Sequence, residues 1–220
     1  MSRTLISALI PLTLAALPAE ANNAPAGDSV IAFDVLRGGR DLGTHIIRFD
    51  RRGDRLDVTT DIDLRVVFGP LTVFRYEHDA IETWQNGELV AFRSETRKDG
   101  EDLTVTAERN GNSWTIDGTG YDGDPLTNTL PLTLALSSHW NGYDVVSDTI
   151  FNTETGEAMP VEIEDLGTET LTVMGERIEA RRIRLSGSLT VDLWYAPDGE
   201  WLKCAFEARG EQVEYVRVEA

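Results

Sequence analysis

The sequence predicts an all-β fold, an antiparallel meander of consecutive hairpins curled into a barrel or half-barrel. Three observations carry this reading. Turn-forming glycine pairs recur at short intervals, apolar and polar residues alternate between them, and no stretch of helical length shows an amphipathic 3.6-residue period.

The turns come first. Gly38-Gly39, Gly53-Asp54, Asn86-Gly87, Asp99-Gly100 and Asn110-Gly111 punctuate the first half. Thr155-Gly156, Gly175-Glu176, Gly187, Asp198-Gly199 and Gly210-Glu211 punctuate the second, and from Gly175 to Gly210 the spacings are 12, 12 and 11 residues. Asn-Gly and Asp-Gly pairs accept the positive φ of the tight turns whose twist matches antiparallel strands.

Between the turns the residues alternate. Tyr76, His78, Ala80, Glu82 and Trp84 share one strand face, and Glu77, Asp79, Ile81 and Thr83 the other. Leu189, Val191, Leu193 and Tyr195 alternate with Thr190, Asp192 and Trp194, and Val213, Tyr215 and Arg217 repeat the pattern in the last strand. Such strands have one buried and one wetter face. The rhythm breaks between Asp117 and Val145. A loop or short helix is expected near residues 120–143, with Leu132 to Ser138 as its helical part, capping one end of the sheet.

The N-terminus predicts export. Arg3 precedes an apolar run from Leu5 to Leu17, and Pro18-Ala19-Glu20-Ala21 places small residues where a signal peptidase reads them. The run is too short to cross a hydrocarbon core of ~30 Å. Residues 1–21 are therefore expected to be a cleaved signal peptide, 22–28 a disordered segment, and 29–220 one all-β domain in the periplasm or outside the cell. No later segment is apolar enough to be a membrane span, and no cysteine near the cleavage site offers a lipoprotein anchor.

Cys204 is the only cysteine, so no internal disulfide can form and stability must come from the core. Cys204 alternates with Leu202 and Phe206 and reads as a small buried residue. The net charge is −18, with Lys98 and Lys203 the only lysines. Without a basic stripe, attraction to nucleic acid or anionic headgroups is disfavoured. An acidic surface keeps the chain soluble.

Signatures of catalysis and metal binding are weak. Asp117, Asp122 and Asp124 crowd one loop, but Pro125 and the lack of a closing Glu break the calcium-loop pattern. His45, His78 and His139 have no metal-ligand spacing, and His78 and Glu82 stand about 13 Å apart along one strand. No Gly-x-Ser-x-Gly elbow occurs, and the adjacent Ser138 and His139 are poorly disposed for a triad. Glu82, Asp79 and Asp192 remain as a carboxylate set for a hydrolase. No cofactor or metal is expected.

The aromatic residues are more informative. Trp84, Trp140, Trp194 and Trp201 lie near turns or strand ends, with Tyr76 and Tyr195 close in sequence. On a curled sheet they would line an apolar cavity with His78, Glu82, Asn141 and Asp192 as its polar groups, or simply pack the core. Tyr76, His78, Glu82, Trp84, Trp140, Asn141, Asp192 and Trp194 are thus the candidate binding residues.

Phe33-Asp34-Val35 with Gly43 and His45, Tyr76-Glu77-His78, Glu82-x-Trp84, Trp140-Asn141 and Asp192-Leu193-Trp194-Tyr195 resemble a family of exported proteobacterial proteins, domain of unknown function 6134. That family is similar in style to domain of unknown function 3108. The resemblance covers roughly residues 30 to 218. It implies an all-β periplasmic protein, and by fold-level analogy a lipocalin-like or lipoprotein-carrier-like shape; it implies no activity. The leading expectation is a binding or envelope-maintenance protein holding an apolar or lipid-like molecule. Its rivals are a partner-binding protein with a filled core and a hydrolase using Glu82, Asp192 or His78. No residue pattern specifies an oligomeric state.

Overall fold

Alternation and turn chemistry produce strands throughout. In the computed structural model, which describes residues 20–68, 71–120 and 122–219, they are β1 (Ser29–Arg37), β2 (Arg40–Arg52), β3 (Arg55–Phe68), β4 (Leu71–Gln85), β5 (Glu88–Lys98), β6 (Glu101–Asn110), β7 (Ser113–Thr119), β8 (Pro125–Pro131), β9 (Thr149–Phe151), β10 (Ala158–Pro160), β11 (Glu162–Val173), β12 (Glu176–Ser186), β13 (Thr190–Tyr195), β14 (Trp201–Ala208) and β15 (Glu211–Val218). The expected signal peptide falls, except for Glu20 and Ala21, outside the described residues.

Thirteen strands form one antiparallel sheet in the order β11-β12-β13-β14-β15-β1-β2-β3-β4-β5-β6-β7-β8, and β9 pairs with β10 alone. The first and last strands therefore meet mid-sheet, with Val35 opposite Tyr215. The sheet is not closed: β8 and β11 are its two edges. Both resist further pairing. β8 begins and ends on proline, and β11 carries Glu162, Glu164, Asp165 and Glu169 with a register shift between Asp165 and Thr168.

Turn residues act where the sequence places them. Asn86 and Gly87 both have positive φ, 54° and 83°, as a two-residue hairpin between β4 and β5 requires. Gly43, at φ 142°, is demanded by close approach: a Cβ there would lie 1.9 Å from the Asp63 carbonyl oxygen of β3.

One apolar cluster fills the inner face, contributed by both limbs of the sheet and including Phe33, Ile47, Trp84, Phe92, Trp140, Leu193 and Trp201. A small second cluster of Ala180, Trp194, Leu202 and Ala205 lies on the outer face. Leu202 thus does not share a face with Cys204. The register shifts between Trp194 and Tyr195, and this turns Trp201 and Cys204 inward and Leu202 outward.

The expected helix is absent among the described residues. The sheet continues as β8 to Pro131, and residues 132–157 are irregular apart from the three-residue β9. Seven residues are too few to hold a helix alone. Extended pairing satisfies this backbone instead: Ser137 N–H donates to the Phe151 carbonyl at 2.9 Å and Phe151 N–H to that of Ala135 at 2.8 Å. Residues 22–28, expected to be disordered, are an irregular strap. Asn23 N–H donates to Asn141 Oδ1 at 3.2 Å, Asn141 Nδ2–H to the Glu20 carbonyl at 2.6 Å, and Arg51 N–H to Asp28 Oδ1 at 2.8 Å.

Candidate functional site

Strand register assembles the site. Phe33, His45, Ile62, His78 and Thr96 stand opposite one another across β1 to β5, all on the inner face. One pair further along, Leu64 faces Tyr76 and Tyr76 faces Lys98. From the other limb Val191, Cys204, Phe206 and Tyr215 turn toward these rows, and the 132–157 segment closes the space between. The result is a cavity of about 410 Å³ walled by all three histidines, His45, His78 and His139. That volume lies within the roughly 300–1,000 Å³ of small-molecule sites.

The three imidazoles differ in their partners. His78 Nδ1 is 2.7 Å from the buried Thr96 hydroxyl, and His139 Nδ1 is 2.6 Å from the Tyr143 hydroxyl. The Tyr143 hydroxyl also donates to the Leu136 carbonyl at 3.1 Å, so His139 Nδ1 is assigned as the donor in that pair. His45, 3% exposed, has no protein hydrogen-bond partner at either ring nitrogen. Its ring packs against Trp201 at 5.4 Å and Tyr215 at 5.6 Å. Burial lowers the His45 pKa to about 3, with His139 and His78 acting in the same direction. Burial also lowers His78 and His139 to about 4. All three are neutral imidazoles at physiological pH.

Behind the cavity lies a buried carboxylate. Glu82, 1% exposed, receives the Trp84 indole N–H on Oε2 at 3.0 Å and the Trp140 indole N–H on Oε1 at 2.9 Å. The Ser138 hydroxyl is a third partner. Burial raises the Glu82 pKa, and the three donors partly offset the effect. This knot ties the inserted segment to β4 and so fixes Ser138 and His139 at the cavity wall. His139 takes a φ of 67°, unusual for a residue with a side chain.

The cavity is polar at one end and apolar at the other. Thr60, His45, His78, His139 and Ser138 lie toward the Glu82 knot, whereas Leu64, Phe74, Val191 and Phe206 lie toward the β3–β4 hairpin tip. Leu64, Phe74 and Phe206 also line an adjoining apolar groove of about 200 Å³. Lys98 and Glu154 pair at 3.1 Å in the cavity wall, and Lys98 lies 5.9 Å over the Tyr76 ring.

The structure divides the residues singled out from sequence. Tyr76 and His78 line the cavity. Glu82, Trp84 and Trp140 form the knot beneath it. Asn141 instead clamps the N-terminal strap through Asn23 and the Glu20 carbonyl. Asp192 and Trp194 are not on the concave face. Asp192 accepts from Arg182 Nη2 at 2.6 Å and Arg184 Nε at 2.7 Å; burial opposes its charge, but the guanidinium groups hold its carboxyl below the usual range. Trp194 lies on the convex side under Arg182 and Lys203 and donates its indole N–H to Glu169.

The hydrolase set is therefore not assembled, since Asp79 and Asp192 face outward from Glu82. His45, His139, Cys204 and Tyr215, none of them among the candidate binding residues, also line the cavity. The alternation of His45 with Ile47 and Phe49 marks it as inward-facing, but nothing local brings β14 and β15 opposite it. Burial raises the Cys204 thiol well above its ordinary pKa. Among the described residues no three His, Cys, Asp or Glu side chains converge in a metal-binding cluster.

No curated protein matches this chain. Among solved structures, the crystal structure of a beta-barrel-like protein of domain of unknown function DUF1849 from Brucella abortus superposes with a TM-score of 0.59 at 11% identity, covering 88% of this chain and 96% of that one. At such identity the likeness is one of fold. The family model for domain of unknown function DUF6134 matches residues 33–218, nearly the whole of the described sheet, and the chain belongs to that family.

Proposed function

We propose that this is an exported periplasmic protein that binds an apolar or amphipathic small molecule between the limbs of its curled, half-barrel sheet. The observation that carries this reading is the cavity of about 410 Å³, whose wall includes the buried His45 with no protein partner at either ring nitrogen. A buried polar group without a partner costs about 1–3 kcal/mol, and a ligand hydrogen bond removes that cost. The apolar wall with a few convergent polar groups is the ordinary composition of a small-molecule site. The signal-peptide pattern of residues 1–21 supports export.

A filled-core, partner-binding protein would have no need of such a space. The test is native mass spectrometry of the protein purified from periplasm, followed by solvent extraction of any adduct. A stoichiometric apolar or amphipathic adduct is expected. A bare polypeptide mass, together with no retained molecule after incubation with total envelope lipid extract, would overturn the reading.

A further inference from the structure

We infer that the ligand is an uncharged amphiphile bound head-inward, with a hydroxyl or carbonyl group hydrogen-bonded to His45 and its chain running toward Leu64, Phe74 and Phe206. This rests on the binding role proposed above and names the chemistry of its ligand.

Three observations converge. The polar end of the cavity is deep, against the Glu82 knot, and the apolar end leads to a second apolar groove sharing three of its residues. An amphiphile placed there must put its polar group inside. Second, the deep end offers hydrogen bonds without countercharge. His45, His78 and His139 are buried and neutral, and the charged pair in the wall, Lys98 with Glu154, stands one row away beside Tyr76 and Leu64 and carries no net charge. An ionised head would lose its hydration without a charge to replace it, at a cost of several kcal/mol. Third, a neutral imidazole presents one N–H and one lone pair, the complement of a hydroxyl group; a carbonyl uses the N–H alone. Neither His45 nitrogen has a protein partner.

The competing occupants of this space differ only in the head, so matched chains separate them. Trp201 packs on His45, so its fluorescence reports occupancy. The full chain lacking its expected signal peptide is titrated in mildly alkaline buffer with lauryl alcohol, methyl laurate, laurate and laurylammonium, each below its aggregation threshold. Lauryl alcohol or methyl laurate is expected to bind at least tenfold more tightly than laurate or laurylammonium. His45→Phe, which keeps a ring in the cage, is expected to weaken the alcohol about tenfold, and His45→Gln, which keeps a donor and an acceptor, to restore part of the loss.

Equal or tighter binding of either ion would overturn the uncharged head while leaving the binding role intact. Alcohol affinity unchanged in His45→Phe would overturn the head-inward placement. Failure of all four probes to bind, with an empty cavity by native mass spectrometry, would instead remove the binding role itself.

Discussion

The indole N–H of Trp140 donates to the Glu82 carboxylate at 2.9 Å across 58 positions of sequence, and both side chains are 1% exposed. This bond holds the inserted segment against β4. Trp140→Phe is expected to lower unfolding free energy by roughly 1–3 kcal/mol through the lost donor, with lost packing against Trp84 and Phe49 added. Glu82→Gln is expected to destabilise although it removes a buried charge, because its amide NH₂ would oppose an indole N–H. Urea denaturation measures both. A Gln variant as stable as the wild type would mean that the carboxyl is held protonated.

The buried histidines make stability fall with acidity. Each has a folded pKa below the unfolded value of about 6.5, at about 3 for His45 and about 4 for His78 and His139. The unfolded chain therefore binds more protons in that window, and stability is complete above pH 6.5 and lost as pH falls toward 4. Glu82, whose pKa is raised, opposes the trend. The net loss from neutral pH to pH 4 is expected to be on the order of a few kcal/mol. His45→Phe is expected to shrink this loss and to raise the Tm of ligand-free protein at pH 7. Identical acid slopes for both proteins would show that His45 is not held neutral.

Gly43 permits β2 to lie against β3 beside His45. Gly43→Ala places a carbon on the Asp63 carbonyl and is expected to cost on the order of 3 kcal/mol or prevent folding. Gly39→Ala, in a turn where a Cβ meets nothing within 4 Å, is the mild comparison. Thermal melts of the two decide the matter. Equal effects would deny the close approach its importance.

Asp61, Asp79 and Glu95 stand directly opposite one another on the outer face of β3, β4 and β5. Burial raises the Asp79 pKa, and these two neighbours raise it further. Asp79→Asn is expected to stabilise by about 0.2–1 kcal/mol at pH 7 and low salt, with the gain fading at high salt. Loss of stability in this variant would assign Asp79 a partner outside the row.

Much of the sheet was legible because strands report their faces locally. The residues from Tyr76 to Trp84 divide between core and surface as their alternation requires, and Asn86-Gly87 turns where its chemistry dictates. The same alternation sets Asp192 and Trp194 opposite Leu193, and the structure follows that alternation rather than the polar and aromatic chemistry that suggests an inward role. The cavity was illegible for a different reason. Cys204 and Tyr215 reach His45 only through the pairing of β15 with β1, a contact spanning nearly the whole chain. Leu130 to Leu136 misled because an apolar run reads alike as buried helix or extended core segment.

The seam between β1 and β15 also governs when the sheet can form. β1 has β2 for one neighbour early in synthesis, but its other edge stays bare until residues 211–218 have been made. Those few residues seal the middle of the molecule, so cutting them away leaves two raw strand edges in the centre, on β1 and β14. Such edges recruit other chains. Pairing of so great a sequence separation is slow to close, and a nascent chain waiting for its tail is the state most in need of chaperone cover.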